Sequence, residues 1–224
     1  MPNFVYNPPQ TPYLDIIYQD DDIVVLNKPA GLLSVPGREK KHKDSLALRI
    51  LRVWPTACVV HRLDLATSGI IILAMRKSSQ SHISRQFQQK TINKTYYARV
   101  QGIIEQDSGL VDLPIRCDWD NRPRQIVDFE QGKSSQTQWK VLKREKQTTL
   151  VELTPLTGRT HQLRVHMQQI GHPIVGDDFY ASKYGILLSP HRLALHAGSI
   201  TLTHPTTEQP ISFDCLHPFG NEPL

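Results

Sequence analysis

The apolar positions of this chain fall into short patterned segments separated by polar and proline-rich loops. Ile23 to Leu26 reads as a strand ended by the NKPAG turn, where Pro29 and Gly31 stop it. Leu46, Ile50 and Val53 stand at helical spacing with Asp44 or Ser45 able to cap the start and Pro55 to end it, which predicts a helix from Ser45 to Trp54. From Cys58 the residues turn apolar and β-branched. Val59 to Leu63 is expected to be extended, Ala66 to Gly69 a turn, and Ile70 to Met75 a buried strand. Asp64 then lies on a loop between two buried segments.

Further along, Ile83 and Phe87 at i, i+4 behind a starting serine predict an amphipathic helix over Ser78 to Gln89. KTYYARVQG alternates, so Tyr96, Ala98 and Val100 share one face of a strand and Tyr96 points inward, while Tyr97, Arg99 and Gln101 share the other. Residues 109–132 hold no sustained period, and RCDWDNRPRQ sets Trp119 among Arg116, Arg122 and Arg124. An RNA surface and a hairpin capped by a packed tryptophan account for that stretch equally well. Two strands are expected at Gln136 to Lys143 and Thr148 to Thr154. In TGRTHQLRVHMQQIGHP, Leu163, Met167 and Ile170 recur at i, i+4, i+7, Thr160 can cap, and Gly171 with Pro173 closes the segment. A helix is expected there; strand alternation over His161 to His166 loses on length and on the stop signals. With no internal repeat, the pattern adds up to one α+β unit behind an extended arm over residues 1–20.

Composition narrows the class. The 224 residues are 39% hydrophobic and 21% charged, enough for one domain, or one domain with two lobes. The run from Ile70 to Met75 is far short of the roughly 18 residues a membrane span needs, and the proline-bearing first residues do not look like a secretion signal. Three cysteines, without a C-x-x-C pair, disfavour both a disulfide framework and a zinc site. A cytoplasmic protein is expected. The net charge of +5 tilts the partner slightly toward a polyanion. The loop with Arg38, Lys40, Lys41 and Lys43 is either a solvated loop or a phosphate contact.

Candidate chemistry is reached mostly by exclusion. His161 and His166 are five apart with no glutamate between them, unlike a zincin pair, so no metal is expected. HRLD carries a leucine where a kinase HRD loop has none, and no glycine-rich loop, DFG, nucleophile elbow, Rossmann fingerprint or P-loop accompanies it. Asp64 remains. It can act as a nucleophile kept ionised by a nearby arginine, or it can cap the Thr67-Ser68 turn or pair with Arg62; on chemistry alone the second account ranks first.

HRLDLATSG resembles the signature of the RluA-type pseudouridine synthases. NKPAGLLSVPG, KTYYARVQG, TGRTHQLRVHMQQIGHPIVGD and LALHAGSITLTHP are similar to other blocks of that family, in its order, and together reach across nearly the whole chain. YNPPQ, LLSVPGR, LVDLPI, CDW and FYAS narrow the resemblance to a branch with dual specificity for 23S rRNA and tRNA. It implies an α+β pseudouridine synthase fold, with a mixed, mostly antiparallel sheet and flanking helices around a central catalytic cleft. The catalytic domain would span 21–220, without the S4 domain some relatives carry. Asp64 would be the nucleophile, Tyr96 the aromatic against the target uracil, and Arg164 the ion-pair partner of Asp64. Leu163 and Arg62 would also contact the substrate, and Arg38, Lys40, Lys41, Arg116, Arg122 and Arg124 the RNA. The reaction is an isomerisation needing no cofactor, carried out by a monomer on tRNA (the anticodon stem-loop) and 23S rRNA stem-loops. A non-catalytic RNA-binding or RNA-folding protein on the same scaffold is the alternative.

Overall fold

The computed structural model describes residues 5–219, so the first four residues of the expected arm and Gly220 of the expected domain lie outside it. The fold is α+β, and the described residues form two compact units, one running up to 93 with 197–216 and one of 94–196 with the residues from 217 on.

In the first unit, β1 (Ile16–Gln19) and β4 (Ser68–Ala74) flank β2 (Ile23–Lys28), both antiparallel to it, and β3 (Cys58–Val59) pairs with the end of β4. Every residue of β4 is buried, because the run Ile70 to Ala74 has no polar alternation and is covered on both faces. Ile70, Ile72 and Ala74 pack with Ile23, Val25 and Ile83, the last from α2 (Lys77–Gln89). The expected extension of Val59 to Leu63 is realised as strand only at Cys58 and Val59; residues 60–67 are irregular and β4 begins at Ser68. Helix α1 (Leu46–Val53) starts where expected, with Ser45 Oγ accepting from Leu48 N at 3.3 Å. Its buried face differs from the apolar spacing, since Val53 is exposed while Arg49 is fully buried. Asp44 accepts both ends of the Arg49 guanidinium, at 2.9 and 2.7 Å, and Tyr13 lies against it. Burial of this arginine therefore leaves no unpaired charge. Tyr13 and Tyr6 come from the segment before β1, and Tyr6 Oη donates to the Asp44 carbonyl at 2.7 Å.

The second unit carries an antiparallel sheet in the order β5 (Asn93–Gln101), β10 (Thr148–Pro155), β9 (Gln136–Arg144), β6 (Ser108–Asp112). Ala98 and Val100 are buried as the alternation predicts, but so is Arg99 on the opposite face. Phe219 lies beside it, and Arg99 donates to the Phe219 carbonyl at 3.0 Å. The stretch without period is a hairpin, β7 (Ile115–Cys117) and β8 (Gln125–Val127). Its Trp119 is not packed: 64% of it is exposed.

Helix α3 (Gln162–Gln169) forms as expected and ends at Gly171, whose φ of +87° suits glycine. Its cap is not Thr160. His161 occupies the N-cap position in a left-handed conformation without a capping side chain, and the Gln162 Oε1 accepts from Arg159 N at 3.0 Å instead. A short α4 (Lys183–Leu187) follows. The chain then passes from the second unit to the first inside β11 (Leu195–Thr203), which pairs with β12 (Pro210–Asp214).

Candidate active site

In the first unit, Asp64 sits half-buried on the irregular loop between β3 and β4. Two side chains from the NKPAGLLSVPG block clamp that loop. The hydroxyl of Ser34 donates to the Leu63 carbonyl at 2.7 Å and accepts from Leu63 N at 3.1 Å. Lys28, fully buried, spreads its three protons over the carbonyls of Pro29, Leu32 and Leu65 at 2.9, 2.7 and 3.3 Å. Backbone bonds run from Gly31 N to Leu65 O at 2.9 Å and from Thr67 N to Asp64 O at 3.2 Å. The residues on either side of Asp64 are thus held at both carbonyls. His61, at the head of the motif, accepts from Ile72 N through Nε2 at 2.9 Å, which ties the loop to β4 and leaves the ring proton on Nδ1. Arg62 is exposed and Leu63 buried.

In the second unit, Tyr96 is half-buried on β5 opposite Leu153. Arg164 and Leu163 are buried on α3. The Arg164 Nε and Nη2 donate to the two oxygens of Asp177, each at 2.7 Å, with both side chains almost wholly out of solvent. Phe179 and Tyr180 lie against the guanidinium with ring centres 5.3 and 5.2 Å from Cζ, and their backbone N–H groups donate to Asp177 Oδ1. Tyr180 in turn accepts from Gln125 N at 2.7 Å and meets His161 Nδ1 at 2.8 Å. Burial pushes its hydroxyl up to about 12. Sequence reasoning missed Asp177. A buried arginine needs a carboxylate, but the pair Asp177-Asp178 offers two and spacing does not choose between them.

Two more residues of the same block prove structural. Gln162 donates to the Gln136 carbonyl and Thr137 Oγ1 and accepts from Thr157 Oγ1, which docks α3 on the β9 and β10 ends. His166 lies fully buried between Thr137 Oγ1 at 2.8 Å and the Leu113 carbonyl at 3.0 Å. A carbonyl only accepts, so Nε2 carries the proton, and burial lowers the pKa and keeps the ring neutral.

The basic residues divide. Arg38, Lys40 and Lys41 are exposed, Lys41 beside Glu39 at 3.2 Å. Arg116 is bound to Asp128, and Arg124 donates to the Phe179 carbonyl. Arg122 lies on the Trp119 ring. Asp20, Asp22 and His204 bring donor atoms within 4.8 Å of one another. Thr206 N and Thr207 N both donate to His204 Nδ1, however, so Nε2 is protonated and donates to Asp20 at 2.9 Å instead of offering a lone pair.

Each unit therefore presents a preorganised part: a carboxylate on a clamped loop in one, a caged guanidinium and an aromatic strand residue in the other. A family model described as RNA pseudouridylate synthase matches residues 22–169. A relative from Escherichia coli, "Dual-specificity RNA pseudouridine synthase RluA", is 53% identical over 209 residues, covering 93% of this chain and 95% of that protein. One of the same name from Vibrio cholerae is 52% identical over 200 residues, covering 89% and 81%. Among solved structures, human RNA pseudouridylate synthase domain containing 1 superposes with a TM-score of 0.78 at 30% identity, covering 98% of this chain and 87% of that one.

Proposed function

This chain belongs to the RNA pseudouridylate synthase family and is an RNA pseudouridine synthase, and on that premise we propose that it isomerises uridines in tRNA and 23S rRNA stem-loops with Asp64 as nucleophile. The observation that carries the assignment is the clamped loop: Lys28 and Ser34 spend three hydrogen bonds on backbone groups of Leu63 and Leu65, the residues on either side of Asp64, which fixes where Asp64 is presented. Such rigidity suits a group that must meet a reacting atom.

The reaction breaks the N1 to C1′ bond, turns the uracil and joins C5 to C1′. C5 loses its proton to water and N1, freed from C1′, gains one, so atoms and electrons balance within the substrate and water. Reaching a uridine in folded RNA requires extruding it, at a loss of a few kcal/mol of stacking. Tyr96 offsets part of this by stacking on the base, at about 1–3 kcal/mol. Arg164, held by Asp177, supplies the fixed cation of the site, with Leu163 beside it. Arg62, Arg38, Lys40 and Lys41 are exposed and suited to phosphates. All these groups lie on one chain, which is compatible with a monomer, and the tRNA and rRNA substrates of this reading support the cytoplasm as its location.

Tritium release from tRNA and 23S rRNA stem-loops labelled at uridine C5 tests the reading, with Asp64→Asn beside wild type. Release by wild type alone, with RNA affinity retained in the variant, is expected. Undiminished release by Asp64→Asn refutes the nucleophile, and binding without release by wild type favours a non-catalytic RNA-binding protein.

A further inference from the structure

We propose that Trp119 and Arg122, at the tip of the β7–β8 hairpin, form a stacking platform for an unpaired base of the RNA substrate; this rests on the pseudouridine synthase reading above. Trp119 is 64% exposed, and the Arg122 guanidinium covers one side of its ring at 5.0 Å while its Nε donates to the Trp119 carbonyl at 3.1 Å. A tryptophan backed by an arginine and open to solvent gives up apolar burial worth about 2–3 kcal/mol or less, which a structural residue would normally recover. A nucleobase restores that contact on the free surface of the indole, and Arg122 adds a cation beside it.

The tip is not a loose loop. Asp118 N donates to Arg124 O at 3.0 Å, Arg124 N to Asn121 O at 3.1 Å, and Asn121 Nδ2 to Asp118 Oδ2 at 2.9 Å. The ring is thus presented on a closed turn, and little freedom is lost on binding. The turn is also joined to the site within its own unit. Gln125 N donates to the hydroxyl of Tyr180, whose ring lies against Arg164.

The chemistry of the tip selects RNA over a protein partner. Along the tip Trp119 stands among Asp118, Asp120, Asn121, Arg122 and Arg124, with Pro123 between the two arginines. Asp118 accepts from the neutral amide of Asn121 and keeps its charge, so Arg122 and Arg124 balance Asp118 and Asp120. A planar ligand with hydrogen-bonding edges matches an indole face ringed by polar groups better than an apolar side chain does.

Steady-state tritium release from the labelled stem-loops by wild type, Trp119→Ala and Trp119→Phe tests the platform. Trp119→Ala should raise KM by about tenfold to a hundredfold with kcat nearly unchanged, and Trp119→Phe should restore most of the affinity. If wild type turns over and Trp119→Ala shows its KM, the platform is refuted while the synthase reading stands. A fall in kcat at unchanged KM refutes it as well, assigning Trp119 to the hairpin's own structure. Absence of release by wild type overturns the synthase reading and the platform with it.

Discussion

Asp177 takes both oxygens of a carboxylate out of water and spends them on one guanidinium and two backbone N–H groups, so its charge is matched at every acceptor. Asp177→Asn keeps the shape but leaves Arg164 buried beside a neutral amide, whose NH₂ faces a donor. Removing one partner of such a pair costs about 3–5 kcal/mol. The urea midpoint of the variant should fall accordingly, and tritium release should fall further than the unfolded fraction explains; an unchanged midpoint would show that Arg164 is stabilised elsewhere. Lys28 and Ser34 obey the same logic with uncharged acceptors. They were illegible in the sequence because their partners are main-chain carbonyls up to 37 residues away, and carbonyls carry no residue signature. Asp64, by contrast, is singled out by the HRLDLATSG resemblance, since its chemistry alone ranks a turn cap or a pair with Arg62 first.

At the scale of elements, β4 carries the site loop and depends on Gly69. Its φ is +106°, and a Cβ there would stand 2.2 Å from Ala197 O and 2.6 Å from Ala197 N of β11, both backbone atoms that cannot swing away. Gly69→Ala should therefore cost at least about 3 kcal/mol, summing overlap and backbone strain. A thermal melt of the variant close to wild type would mean that β11 moves aside. Periodicity made β2, β4, β5, β9, β10 and the helices α1, α2 and α3 visible, since each buries a stripe or a full apolar run, but not β1, β6, α4, β11 or β12. It failed where polar side chains do the work. Arg49 took the place expected of Val53 once Asp44 paired with it, and His161 rather than Thr160 holds the α3 N-cap position because Gln162 bonds the preceding turn. The β7–β8 hairpin had no pattern to read, being too short and too exposed at its tip.

For the whole molecule, two buried polar groups in different units contribute to the loss of stability in acid, beside Asp20, Asp44 and Asp128, whose carboxyls are also held below their ordinary range. Burial would raise the pKa of Asp22, but bonds from Ser79, Thr206 and Arg76 outweigh it and hold the carboxyl at about 2. These partners join the start of β2 to α2 and to the turn between β11 and β12, the last 184 residues away in sequence. Because the folded pKa is depressed, the unfolded chain binds the proton first. The contribution is complete above about pH 4 and is lost as pH falls toward about 2. His166 acts in the same direction higher up. Burial lowers its pKa, so below about 6.5 the unfolded state takes a proton that the folded state refuses, and stability declines from there. Urea midpoints measured from pH 8 to pH 2 should thus fall in two stages. In Asp22→Asn, less stable throughout the neutral range, the stage below pH 4 should flatten while the decline near pH 6 persists. If the low-pH stage keeps its slope in that variant, carboxylates other than Asp22 set the acid limit, and the polar knot joining these elements is replaceable in a way its bonding pattern does not suggest.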